Sequence, residues 1–134
     1  MNNFPPQRIV CLTEETVELL YLLGEEDKIV GVTGYAVRPK IVRKQKPKIS
    51  SFKSANIQKI IELKPDIILA FSDIQSEIVA NLVKKGQSVL CFNQRDIEGI
   101  FNMIQTICNL LDIKQKGINL ISKLKNNIYQ IENK

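Results

Sequence analysis

Three carboxylates crowd the first helical turns that follow the apolar run Arg8-Ile9-Val10-Cys11-Leu12: Glu14, Glu15 and Glu18. Paired acids at that spacing can divide general-acid and general-base work, and Asp73 adds a further carboxylate behind a second apolar run. Their position argues for a plainer role. Thr13 is an N-cap residue type, and acids in the turn behind it compensate the positive end of a helix. The chain has no histidine, which removes the commonest general base and the commonest neutral metal ligand together. It also lacks a phosphate-cradling glycine loop. The turn reads Thr13-Glu14-Glu15-Thr16, with neither a GxGxxG nor a GxxxxGK pattern, and its two glutamates occupy the helix end where a phosphate would sit. The expectation is therefore no catalytic residue, no metal site and no intrinsic cofactor. The enzymatic alternative is a chelatase-like or nucleotide-using α/β domain working through Glu14, Glu15 or Asp73.

Aromatic residues offer a different chemistry. Phe52 stands between Ser51 and Lys53 in a polar loop, with no strand or helix face to hide on, and Tyr35 stands beside Gly34 in a similar setting. Phe71 ends the apolar run that begins after Asp66. Aromatic side chains give large contact area at low entropic cost, so Tyr35, Phe52 and Phe71 form a candidate wall for a flat or apolar ligand. Phe92, inside a second apolar run, reads as core, and Asn93 follows it.

The elements that must position this wall alternate. Apolar, β-branched runs predict strands over 8–12, 28–33, 47–50, 66–71 and 87–92. Helices are predicted over 14–23, stopped by Gly24, and over 57–63, capped by Asn56 and ended by Pro65. Ser72 or Asp73 caps a third helix, ended by Gly86, whose Ile74, Ile78, Leu82 and Val83 share a face. Asp96 leads a fourth, with Ile97, Ile100, Phe101, Ile104, Ile107, Cys108 and Leu111 at helical spacing. A last helix over 114–131 repeats Gly117, Ile121, Leu124, Ile128 and Ile131, with Ile118 and Leu120 widening the stripe, so it has one face for its own domain and another needing a second surface. Strands alternating with helices predict an α/β, Rossmann-like parallel sheet with helices on both faces, followed by a long C-terminal helix. In such sheets ligands sit beyond the carboxyl ends of the strands. Tyr35, Phe71 and Asn93 fall at those ends.

With 134 residues, 44% hydrophobic and 25% charged, the composition is that of one ordinary globular domain. The net charge of +5 permits nucleic-acid binding, but the lysines are spread over helix faces. The one local cluster, Lys40, Arg43, Lys44, Lys46 and Lys48, reads as a solvated loop, so nucleic acid is not an expected partner. Three cysteines lack CxxC spacing; Cys11 and Cys91 lie in apolar runs and read as buried thiols. Apolar runs fall far short of the roughly 18 residues of a membrane helix, so no membrane insertion is expected. The N-terminus lacks the basic and apolar regions of a secretory signal, which predicts a cytoplasmic chain as written.

The set Arg8-Ile9-Val10-Cys11-Leu12, Glu18-Leu19-Leu20-Tyr21-Leu22-Leu23-Gly24, Lys28-Ile29-Val30-Gly31-Val32-Thr33, Pro47-Lys48-Ile49 and Ile60-Ile61-Glu62-Leu63-Lys64-Pro65-Asp66-Ile67-Ile68 resembles, in order, the substrate-binding proteins of ABC importers for cobalamin and ferric siderophores. The resemblance implies two α/β lobes joined by one long helix, with the ligand in the cleft between them. This chain is similar to the N-terminal lobe, residues 1–112, followed by the linking helix, residues 113–134, with the second lobe absent. By motif position Tyr35, Phe52 and Phe71 fall where cobalamin-binding members place aromatics facing the corrin. The tyrosine loop reads Tyr35-Ala36-Val37-Arg38-Pro39, where those members tend towards an acidic, tyrosine-rich turn. Where family lobes carry a glutamate that docks onto the permease, this chain has Gln58, with Glu62 one turn later. The implied partners are a small-molecule ligand (a cobalamin or ferric siderophore), an ABC permease, and a second copy or a missing C-terminal lobe to close the site. The implied location is the periplasm or cell surface, once a signal has been removed. A third reading is an interaction domain acting through the last helix.

Overall fold

The computed structural model describes residues 4–33, 45–46, 48–50 and 56–132. Among these, five strands form one parallel sheet in the order β3-β2-β1-β4-β5: β1 is Ile9–Cys11, β2 Ile29–Thr33, β3 Lys48–Ser50, β4 Ile67–Phe71 and β5 Val89–Phe92. The helices are α1 (Glu14–Leu22), α2 (Ile57–Glu62), α3 (Ser76–Lys84), α4 (Ile97–Leu110) and α5 (Lys114–Glu132). Apart from the short edge strand β3, Lys48-Ile49-Ser50, the strands are near-continuous apolar runs, as in a parallel sheet covered on both faces. The chain moves one way from β1 through α1 to β2 and the other way from β4 through α3 to β5, so right-handed crossovers place α1 and α3 on opposite faces. This is the doubly wound architecture expected from the sequence.

One face carries Val10, Leu12, Ile68 and Ala70 of the central strands, sealed by Ile60 of α2 and by Ile78 and Leu82 of α3. Leu12, Ile60, Ile68 and Leu82 are fully buried, and each such side chain contributes roughly 1.5–3 kcal/mol over its exposed state. The other face presents Ile9, Cys11, Ile67 and Leu69, all buried. α1, with Val17 and Leu20 buried, lies against β1 and β2.

Capping chemistry sets the helix ends. Asn56 accepts a hydrogen bond from the Lys59 N–H at 3.0 Å, and Asp96 accepts from the Gly99 N–H at 2.7 Å. Gly24 and Gly86 close α1 and α3 in left-handed conformations, at φ 71° and 85°. Thr13 occupies the N-cap of α1, but its hydroxyl makes no capping bond. It lies 2.9 Å from the Thr16 hydroxyl, which donates to the Thr13 carbonyl at 3.0 Å.

At the amino edge of the sheet, polar groups lock backbone to backbone. Asp66, 2% exposed, accepts from the N–H groups of Gln7 (2.9 Å) and Arg8 (3.0 Å) through one carboxylate oxygen. Arg8 in turn donates from Nη2 to the Leu63 carbonyl at 2.6 Å and from Nε to the Lys64 carbonyl at 3.2 Å. This closes the C-terminal end of α2, where Lys64 turns through φ 51° ahead of Pro65. Asp66 is thus a structural clamp between β1 and β4.

The structure corrects three expectations. Cys91 is exposed, because β5 is an edge strand of the described sheet and all four of its residues keep some exposure. Ile74 and Val83, expected on the buried face of α3, are 54% and 55% exposed. A 3₁₀ turn over Asp73–Gln75 precedes α3, and its tighter winding rotates Ile74 outward and Gln75 inward. Ile97 and Ile100 are likewise exposed, while Phe101, Met103, Ile104, Ile107 and Cys108 carry the buried stripe of α4.

The chain divides into two compact units, Met1–Asn93 and Gln94–Lys134. The first holds the sheet with α1 to α3. The second is a helical hairpin of α4 and α5, in which Gly117 lets the helices touch: a Cβ there would stand 2.8 Å from Cys108 Cβ. Lys125 Nζ lies 5.3 Å from the Phe101 ring centroid, a cation–π contact. Of the described α5 residues only Gly117 is buried; Ile121, Leu124 and Ile128 are half-buried, and Ile118 and Ile131 are exposed.

Candidate ligand-binding edge

In the order β3-β2-β1-β4-β5 the direction of winding reverses between β1 and β4, and doubly wound sheets take ligands above the carboxyl ends of the strands at this point. The β1 end is Leu12-Thr13 and the β4 end is Phe71-Ser72. Phe71 is half-buried and pairs in register with Phe92 of β5.

Directly between the two strand ends lies Gln75, whose side chain is fully buried. Its Oε1 accepts from the Phe71 N–H at 2.9 Å, and its Nε2 donates to the Leu12 carbonyl at 2.9 Å. Ser72, next along, holds φ 70° and ψ 163°, a region used almost solely by glycine and costly by about 1–3 kcal/mol for other residues. Its N–H donates to the Phe92 carbonyl at 2.6 Å, while its hydroxyl donates to Asp73 Oδ1 at 2.7 Å and accepts from the Ile74 N–H at 3.4 Å. Ser72 therefore caps the 3₁₀ turn.

Beside this corner an open groove of about 350 Å³ is lined by Ser72, Asp73, Ser76, Val79, Cys91 and Asn93. Its wall is mainly apolar, with Val79 and Ala80 among its lining, and carries the polar side chains of Asp73, Ser76 and Asn93. Cys91 is a weak nucleophile at neutral pH, since partial burial pushes its thiol pKa up, outweighing its hydrogen bond with the Ser72 backbone. Burial pushes the Cys11 thiol further, up to about 12, despite the Thr16 hydrogen bond. Among the described residues no group of three or more Cys, Asp or Glu side chains is arranged to hold a metal ion. No described helix is long and apolar enough to cross a membrane.

Of the residues the sequence nominated, Phe71 lies at the carboxyl edge, while Tyr35 and Phe52 lie outside the described residues. Gln58 and Glu62 are exposed one turn apart on α2, with Gln58 Nε2 3.4 Å from Glu62 Oε1. Glu14 and Glu15 fill the first turn of α1, as acids compensating its dipole do. The sequence reading missed Gln75 and the strained Ser72. For Gln75 a signal was present: it lies three and seven residues before Ile78 and Leu82, on the buried phase of the helix.

A doubly wound parallel sheet with an open carboxyl edge, in a chain that also carries a helical hairpin, defines the class as an α/β lobe. The chain belongs to the periplasmic binding protein family, whose model matches residues 9–134. It is 31% identical over 133 residues to the uncharacterized ABC transporter substrate-binding lipoprotein YvrC of Bacillus subtilis, covering 96% of this chain and 42% of that protein. It is 28% identical over 116 residues to a vitamin B12-binding protein of Vibrio vulnificus, covering 86% of this chain and 42% of that protein. Among solved structures, a possible iron-binding (periplasmic solute-binding) protein from Staphylococcus epidermidis superposes with a TM-score of 0.87 at 28% identity, covering 96% of this chain and 51% of that one. The chain thus spans about half the length, or less, of the relatives it matches.

Proposed function

We propose that this chain is a ligand-binding lobe of a solute-binding protein serving an ABC importer, and that its ligand is a large, flat or metal-chelate molecule of the cobalamin or ferric-siderophore kind. The observation that carries the reading is the family match over residues 9–134, which includes every strand whose carboxyl end forms the open edge. The vitamin B12-binding relative supports the corrin class, and the Staphylococcus epidermidis structure supports an iron-linked one. The lobe works without bond chemistry and with no intrinsic cofactor: Tyr35, Phe52 and Phe71 supply stacking surface, and the groove beside Ser72 adds apolar contact, with Asp73, Ser76 and Asn93 as its polar groups. Binding sites usually enclose about 70–90% of a ligand's surface, and one lobe offers a single wall. The second wall comes from a further lobe or from a second copy of the chain. The permease meets the lobe on the α2 face that carries Gln58 and Glu62.

Absorbance titration of the protein with cyanocobalamin, heme and a ferric hydroxamate tests this, with a nucleoside triphosphate and a divalent metal as controls. Saturable binding of one chelate is expected, weakened about five-fold by Phe52→Ala or Phe71→Ala as stacking worth about 1 kcal/mol is lost. Binding of the controls with no response to any chelate would contradict the proposal and favour the enzymatic alternative.

A further inference from the structure

We infer that Gln75 is the positioning residue of the ligand edge: its carboxamide stands in for a missing peptide rung between β1 and β4 and thereby fixes where Phe71 meets the ligand. The inference rests on the ligand-binding reading of that edge.

The hydrogen-bond register carries it. β1 and β4 pair in parallel, with Cys11 opposite Leu69, and the Leu12 N–H donates to the Leu69 carbonyl at 2.9 Å. In a parallel ladder the next rung would run from the Phe71 N–H to the Leu12 carbonyl. Here both of those groups turn instead to one side chain, Oε1 of Gln75 taking the Phe71 N–H and Nε2 reaching the Leu12 carbonyl, each at 2.9 Å. A carboxamide presents one acceptor and one donor in the geometry of a peptide group. Gln75 is therefore inserted into the ladder as a spacer, at the point where the sheet's winding reverses. It parts the strand ends while leaving no polar group there unpaired.

The consequence falls on Phe71. Its own N–H is tied to Gln75, and the next N–H, of Ser72, is tied to the Phe92 carbonyl on the opposite side at 2.6 Å. The backbone of the stacking residue is pinned between β1 and β5 just before the chain enters the strained conformation of Ser72. Full burial of Gln75 keeps water from replacing either bond. Asp73, two residues earlier in the same turn, is exposed but bonds to Ser72, so both polar residues of the turn hold the strand end.

The test uses two substitutions and a pH profile. Gln75→Glu, when protonated, keeps both contacts, its carbonyl oxygen accepting from Phe71 and its hydroxyl donating to Leu12. When ionised it has no proton to donate and opposes the Leu12 carbonyl. Burial raises the pKa of such a carboxyl, which places the change within an accessible range. With cyanocobalamin, heme and a ferric hydroxamate as probes, and under conditions where circular dichroism shows each variant fully folded, Gln75→Glu should bind like the parent at acid pH. It should lose about ten-fold in affinity relative to the parent as the carboxyl ionises, a change of about 1.4 kcal/mol. Gln75→Leu should bind weakly at every pH. If folded Gln75→Glu and Gln75→Leu match the parent throughout, Gln75 is a merely structural residue and the inference is overturned alone. If the parent binds none of the probes, the ligand-binding reading fails and this inference fails with it.

Discussion

The two edges of one sheet use their polar side chains differently. At the amino edge Asp66 and Arg8 spend their hydrogen bonds on backbone groups of Gln7, Arg8, Leu63 and Lys64, all in ordinary closing roles. At the carboxyl edge Gln75 holds two strand ends apart, Ser72 sits in a costly conformation, and the adjoining groove stands open to solvent. Strain is tolerated where the surrounding structure over-determines it, and such strain concentrates at binding sites. The same strands thus pair a clamped end with a poised one. Buried polar groups alone do not mark a site; what distinguishes them is whether they close a gap or keep one.

That contrast can be broken from either side. Asp66→Ala leaves two part-buried backbone N–H groups without their acceptor, and hydrogen bonds to charged groups are worth about 1.5–3 kcal/mol each. A loss of about 3 kcal/mol in urea unfolding is expected, with ligand affinity of the folded protein unchanged; a fall in affinity instead would make the amino edge part of the site.

Between the edges lies Cys11, ordinarily ionising at 9.0 and pushed up to about 12 by burial in the fold. The unfolded thiol releases its proton first, so the stability Cys11 provides is complete below pH 9 and is lost as pH rises towards 12. The slope is at most about 1.4 kcal/mol per pH unit. Cys11→Ala should flatten the alkaline stability profile relative to the parent, measured by thermal unfolding between pH 8.5 and 10.5 or so.

Ser72→Gly should release backbone strain and raise stability by about 1 kcal/mol, the loss of the hydroxyl's bonds offsetting part of the gain. Destabilisation on this change would show that the hydroxyl outweighs the strain and would weaken the case for a poised edge. The smallest effect is expected at Gln58→Glu, which places like charges one turn apart with Glu62 at a cost of a few tenths of a kcal/mol. If α2 is the docking face, the same change strengthens permease binding in a reconstituted pull-down.

Much of this architecture was legible in the sequence, for physical reasons that separate what was read from what was not. Asn56, Asp96, Gly24 and Gly86 declare helix ends through chemistry confined to a few neighbouring residues, and all four act there. The strands declare themselves by apolar runs, which a doubly covered sheet requires. Exposure of Cys91 was hidden because an apolar run does not say whether its strand is central or at an edge. The burial of Gln75 could be read from its spacing to Ile78 and Leu82, but its role could not, because its partner Leu12 lies 63 residues away; the 3₁₀ turn that sends Ile74 outward was equally invisible. Of the site itself, Phe71 was correctly placed at the carboxyl end of its strand, whereas the bonds that hold its backbone were visible only in three dimensions.

The most direct measurement is chemical-shift mapping of the ¹⁵N-labelled protein during titration with cyanocobalamin, heme and a ferric hydroxamate. A ligand held at the carboxyl edge should move the amides of Thr13, Phe71, Ser72 and Asn93 while those of Gln7, Arg8 and Asp66 stay still. Shifts centred on the amino edge, or none with any of the three, would contradict it.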